Sequence, residues 1–156
     1  MKLDSEDGEF DGIILACAAL KRMGWSHRIS HLFDPCLFLY AVGQGALGIE
    51  TRKEEDILAL LQPLEHLETR IVCEAERACM RTLQGGCSVP IGICSSLLQG
   101  EFTLEAQVSS TIDSFFIRKK LKRQVASVED AVQLGMDLAM MLLDSGAKDL
   151  LKHKWK

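Results

Sequence analysis

The sequence predicts an α+β fold whose C-terminal half is a three-stranded antiparallel sheet covered by helices. Three observations carry this. Phe102, Leu104, Ala106 and Val108 alternate with polar neighbours, the two-residue period of a half-buried strand. Gln99-Gly100, just before them, is a two-residue turn that joins them to the run through Ile91 and Ile93 as a hairpin. Apolar stripes at helical spacing lie on both sides of that hairpin. A chain of 156 residues can bury roughly 70% of its unfolded surface, enough for a core.

In chain order, residues 11–24 read as a helix with Ile13, Cys17 and Leu20 on one stripe and Gly24 as its end. The mixed segment after it is punctuated by Pro35. Residues 36–50 read as a strand, a tight loop through Gly43, Gly45 and Gly48, and a second strand. Residues 53–61 suggest a helix with acidic residues in its first turn, and Pro63 marks a boundary. From 68 to 83 the pattern is helical, with Ile71, Val72, Ala75, Cys79 and Leu83 near one face and Glu74, Arg77 and Arg81 on the other. Gly85 and Gly86 stop that helix. Val89, Ile91 and Ile93 then alternate as a strand, and a third strand is expected around 112–118. Ser127 opens a capping-box-like turn. The helix after it carries Val128, Ala131, Val132, Gly135, Leu138, Ala139 and Leu142 on one stripe. Gly146 suits the C-terminal cap, and a last short helix is expected to run through Asp149 to the end.

Composition excludes several function classes. Hydrophobic residues make up 47% and charged residues 26%, which argues against disorder. A formal charge of -4 and 6% aromatics give no basic face or stacking platform for nucleic acid. No stretch reaches the roughly 18 apolar residues a membrane span needs. The acidic start lacks the features of a secretory signal, so the cytoplasm is the expected compartment. The six cysteines form no C-x-x-C pair and several sit in apolar runs, so buried free thiols are expected.

Few local features suggest chemistry. Cys87, after Gly85-Gly86, is open to two readings. It is an inert thiol at a strand start, the commoner case, or a thiolate made nucleophilic by Arg77 and Arg81. The loop Gly43-Gln44-Gly45 is a tight turn or hinge, or a backbone N–H cradle for a polar ligand. His27 and His31 are four apart, but no third ligand accompanies them, so a solvated helix face is expected and no metal site is assigned. Arg118, Lys119, Lys120, Lys122 and Arg123 read as a solvated strand end rather than an anion site. Glu74 and Glu76 read as helix-surface charges, not a catalytic carboxylate pair.

Four stretches, taken in order and spacing, resemble the porphobilinogen deaminase (hydroxymethylbilane synthase) family. They are IILACAALKRMGW, YAVGQGALGIETR, AERACMRTLQGGCSVPIG and LGMDLAMMLLDSGAKDLL. The resemblance implies a transferase of tetrapyrrole (haem) biosynthesis. Four porphobilinogen units are condensed on a dipyrromethane primer, with release of ammonia. It assigns Cys87 as the thioether attachment point of the dipyrromethane cofactor. Arg22 would pair with pyrrole acetate or propionate groups, for which a planar guanidinium is suited. Gln44 and Gly45 would contact the pyrroles at the cleft.

The same resemblance implies remnants of two α/β lobes before the C-terminal sheet. Residues 1–42 would be the tail of the family's second domain and 43–65 a segment returning to its first domain, the rest of which is absent. Residues 66–156 would be the third domain, carrying the cofactor loop and folding by itself. No catalytic residue is then assigned in this chain, because the family's aspartate lies in the absent part. The chain is expected to be inactive alone and to expose uncovered apolar surface, through which it would self-associate or meet an N-terminal partner. An alternative reading is a non-catalytic interaction module needing such a partner.

Overall fold

A computed structural model describes residues 10–35, 37–83 and 90–151. The chain divides into two compact units, Met1–Asp34 and Pro35–Lys156.

In the N-terminal unit, helix α1 spans Cys17–Arg22, shorter than the expected 11–24. A glycine followed by two β-branched isoleucines (residues 12–14) is a poor helix start, and Ala16, with no capping side chain, precedes the first turn. Lys21 and Arg22 sit in the last turn, where positive charge suits the helix dipole, and Gly24 takes a positive φ of 74°. His27 lies in a short 3-10 turn, Ser26–Arg28, whereas His31 lies beyond it and meets Phe33 edge-on at 5.4 Å. The expected shared helix face for the two imidazoles does not form.

The C-terminal unit begins differently from the expected strand–loop–strand. Among the described residues of 36–50 Tyr40 alone pairs, as an isolated antiparallel bridge to Ile93 with N···O distances of 3.0 and 2.8 Å. Gly43 and Gly45 follow with φ of 72° and 87°, which turn the chain away from the sheet edge after one residue of pairing. Residues 46–52 carry neither helix nor strand. Helix α2 (Glu55–Leu61) has Glu55 and Asp56 in its first turn, as expected, and runs into a 3-10 turn, Gln62–Leu64, around Pro63.

Helix α3 (Leu67–Thr82) presents Ile71, Ala75, Ala78 and Cys79 to the core, and Leu83 follows as its C-cap, also buried. Its outer face holds Glu74, within 3.2 Å of Arg81 and 3.7 Å of Arg77. Gly85, Gly86, Cys87 and Val89, which follow α3 in the chain, lie outside the described residues, as do Cys36 and His153.

The sheet has order β1-β2-β3, all antiparallel: β1 is Ile91–Leu98, β2 Glu101–Ser109 and β3 Phe116–Gln124. The β1–β2 turn has Gln99 at φ 51° and Gly100 at φ 78°, the paired left-handed geometry that matches the twist of a hairpin. The third strand starts later than 112 because residues 110–115 form a polar turn. In it Ser110 Oγ accepts from the Ile112 and Asp113 amides, and Asp113 Oδ1 accepts from the Phe115 amide.

Helices α3 and α4 (Val128–Leu142) cover one face of this sheet. Phe102, Leu104, Ala106 and Val108 are all fully buried there, confirming the alternation. Burial of each large side chain is worth about 1.5–3 kcal/mol. The capping box forms: Ser127 Oγ accepts from the Asp130 amide at 3.1 Å, and Asp130 Oδ2 accepts from the Ser127 amide at 3.1 Å. Leu134 joins the expected stripe of α4 as a fully buried residue. A Cβ on Gly135 would stand 2.1 Å from the Ala75 carbonyl oxygen, so the two helices meet backbone to backbone. Gly146, at φ 96°, kinks the chain before the last helical turn, α5 (Lys148–Leu150).

The basic run lies on β3 and is largely neutralised. Arg118 reaches Glu105 at 2.6 Å, Lys122 reaches Glu101 at 2.6 Å and Arg123 reaches Asp137 at 2.8 Å. Lys119 pairs with buried Ala106, which places its side chain on the helix side of an edge strand. An inward-pointing charge of this kind discourages edge-to-edge association.

The thiols at Cys17, Cys73 and Cys79 are free. Burial pushes Cys79 up to about 12, with nearby Glu76 adding to the effect. At pH 8 Cys79 is therefore expected to resist maleimide in the folded chain and to react only on unfolding, as peptide-level mass spectrometry would show. The raised value also fixes the alkaline behaviour. Folded Cys79 keeps its proton where the unfolded thiol has lost it, so its contribution to stability is whole below pH 9 and fades toward pH 12.

Candidate functional site

The C-terminal unit contains an open cleft of about 390 Å³. Its walls come from three segments: Tyr40 and the turn at Gly43, Gln44 and Gly45; α3 and its N-cap; and Ser95 and Leu97 of β1. The glycine turn that the sequence singled out is thus a cleft wall. Gln44 and Gly45 both face solvent there, and Val42 just before them packs against the core.

What fixes this turn is Glu76. The expectation of a helix-surface charge is overturned: Glu76 is 2% exposed. It occupies the apolar face of α3, one turn below Val72 and just before Cys79 and Leu83. Its Oε2 accepts from the Gly43 amide at 2.7 Å, and its Oε1 accepts from Ser95 Oγ at 2.5 Å. Ser95 is itself on the helix-facing side of β1, directly paired with buried Leu104. Tyr40 completes the set. Its oxygen accepts from the Ser95 amide at 2.8 Å and lies 3.1 Å from Ser95 Oγ. Burial pushes the Tyr40 phenol up, against the lowering effect of its bonds to Ser95. A buried carboxylate without such donors would be costly, and here both oxygens are used.

The floor of the cleft is less specialised. His66 caps α3, its Nδ1 lying 2.9 Å from Thr69 Oγ1 and accepting from the Thr69 amide. Cys73 lines the cleft, and burial pushes its thiol up, so it is not an activated nucleophile.

Of the sequence-predicted site residues, the structure brings Gln44 and Gly45 to the cleft. Arg22 ends α1 in the N-terminal unit and is exposed. Cys87 lies outside the described residues, in the connection between α3 and β1, the two elements that Glu76 and Ser95 tie together. Sequence reasoning missed Glu76, Ser95 and Tyr40. The available signal was positional: a carboxylate on the apolar stripe of a helix, and a serine in the inward series Ile91, Ile93, Ser95, Leu97.

A dipyrromethane bearing acetate and propionate groups needs cations around it. Among the described residues lining the cleft, His66 is the only side chain able to carry positive charge, while Glu68 and Glu76 bring negative charge. The lining does not fit those carboxylates, so their capture must come from residues outside it.

Comparison with known proteins places this geometry in a family. Residues 1–59 match the family described as porphobilinogen deaminase, dipyromethane cofactor binding domain, and residues 70–144 match porphobilinogen deaminase, C-terminal domain. A porphobilinogen deaminase of Syntrophobacter fumaroxidans is 43% identical over 151 residues, covering 96% of this chain and 48% of the relative. One of Chlorobaculum tepidum is 42% identical over 147 residues, with 94% and 47% coverage. One of Synechococcus elongatus is 45% identical over 152 residues, with 96% and 46% coverage. The chain spans about half the length of the curated relatives it matches. It belongs to the porphobilinogen deaminase family.

Proposed function

We propose that this chain is the cofactor-bearing C-terminal portion of a hydroxymethylbilane synthase, with Cys87 as the thioether anchor of the dipyrromethane. The observation that carries the proposal is the family match over 1–59 and over 70–144, the second of which contains Gly85-Gly86-Cys87. In the complete enzyme four porphobilinogen units would be condensed on that primer, one ammonia leaving at each addition. Gln44 and Gly45 would contact the pyrroles from the cleft wall, and Arg22 would take a pyrrole carboxylate. Residues 1–42, 43–65 and 66–156 would correspond to the tail of the second domain, the return to the first, and the third domain. The cytoplasm is the proposed compartment; no helix among the described residues is long and apolar enough to cross a membrane.

The 156 residues alone are expected to show no turnover. Among the described residues the cleft offers only His66 as a cation to position carboxylates, and a general acid–base group, worth a typical 10²–10⁴-fold, is not among the residues assigned. Incubating the purified chain with porphobilinogen and measuring uroporphyrin after cyclisation and oxidation tests this; sustained product formation would refute it. Intact mass tests the anchor. An unmodified Cys87 is expected in the isolated chain, and a dipyrromethane adduct at Cys87 once the remainder of the enzyme is supplied. An adduct at another cysteine would remove the assignment.

One observation favours a second reading, an interaction module that needs an N-terminal partner. Leu47 is 92% exposed, Leu60 76% and Leu64 67%, an unusual amount of uncovered leucine in one segment. Sedimentation of the chain with and without the N-terminal half of a relative would separate self-association from pairing.

A further inference from the structure

We infer that Tyr40, Ser95 and Glu76 form a clasp that holds the Gln44-Gly45 turn in register with two stems, the elements that flank Cys87 in the chain. The stems are α3, which ends at Thr82, and β1, which starts at Ile91. The bond from Ser95 Oγ to Glu76 Oε1 at 2.5 Å joins the stems directly. The second oxygen of Glu76 takes the Gly43 amide at 2.7 Å, so the same carboxylate locates the cleft wall. Tyr40, three residues before Gly43, closes the ring. Its hydroxyl accepts from the Ser95 amide at 2.8 Å and, with Ser95 Oγ 3.1 Å away, can donate to it. Tyr40 is also paired to β1, as a bridge to Ile93.

Two features show that this is more than core packing. Gly43 stands at φ 72° with nothing within 4 Å of where a Cβ would lie, so no neighbour packs against that position, and the hydrogen bond from its amide to Glu76 ties it to α3. Ser95 interrupts an otherwise apolar inward row on β1, and its hydroxyl reaches both Glu76 and Tyr40. The three side chains are positioning residues: they act through the turn and the stems, not on a reacting atom.

The inference rests on the reading of Cys87 as the anchor, but the clasp is measurable without it. Residue-resolved amide exchange on the 156-residue chain is the test. In Ser95→Ala the Gly43 amide is expected to exchange about tenfold faster, with Leu138 and Leu142 of α4 unchanged. Ser95→Thr, which restores the hydroxyl, should return Gly43 to its parent rate. Tyr40→Phe removes one hydroxyl and should give the same local pattern at smaller amplitude, and it serves if Ser95→Ala does not fold. Unchanged Gly43 exchange, or equal acceleration at Gly43 and in α4, would overturn the clasp. An intact clasp in a chain whose Cys87 stays unmodified even when the remainder of the enzyme is supplied would instead count against the anchor reading alone.

Discussion

Gly135→Ala is expected to destabilise the C-terminal unit by about 3 kcal/mol, the upper end of what overpacking costs. Two effects oppose each other. Alanine is the better helix former by about 1 kcal/mol in a helix interior. Against this, the added methyl would stand 2.1 Å from the Ala75 carbonyl oxygen and 3.1 Å from the Cys79 nitrogen, both backbone atoms of α3. No side-chain rotation can relieve that, so α3 and α4 must separate. Separation opens the layer formed by Ala75, Cys79, Leu134 and Leu138, all fully buried. Cavity and lost contact then add to the clash. The clash wins. Thermal unfolding followed by circular dichroism should show a fall of roughly 10 °C. A change below about 0.5 kcal/mol would mean that the helices do not meet at this point.

Gly135 also illustrates what could be read from the residues alone. Its place on the α4 stripe was legible, because helical period and the Ser127 cap fix which face turns inward. That it is the crossing point with Ala75 was not, because crossing positions depend on two helices together. The hairpin was legible in full: Gln99-Gly100 and the alternation through Val108 are local signals that the tertiary structure does not contradict. The segment from 36 to 50 was not. Its aromatic and β-branched residues have strand propensity, but pairing needs a neighbouring edge, and among the described residues only Tyr40 finds one. The candidate site divides in the same way. The glycine turn announces itself through Gly43 and Gly45. Its anchor, Glu76, lies 33 positions away and looks like one more charge in a charged helix unless its place on the Val72–Cys79–Leu83 face is weighed.

Glu76→Leu is expected to cost about 2–4 kcal/mol and to release the glycine turn. Leucine fills a similar space and would gain apolar burial, a term of about 1.5–3 kcal/mol. It removes two hydrogen bonds to a carboxylate, each worth about 1.5–3 kcal/mol. It also leaves the Gly43 amide and the Ser95 hydroxyl without their acceptor. The hydroxyl can turn to Tyr40, 3.1 Å away, but the amide has a fixed direction and no second partner in the cleft wall short of solvent. Satisfying it therefore requires the turn to lift off, which the positive φ at Gly43 and Gly45 permits. Glu76→Gln separates shape from hydrogen bonding. The amide oxygen can keep Gly43, and its nitrogen can donate to Ser95 Oγ if the hydroxyl reverses toward Tyr40, so a loss nearer 1 kcal/mol is expected. Urea unfolding of the three proteins measures the order parent, Gln, Leu, with unchanged slope. Equal stability of the leucine and glutamine variants would show that the carboxylate fills space and nothing more, and the turn would then owe its position to the packing of Val42 instead.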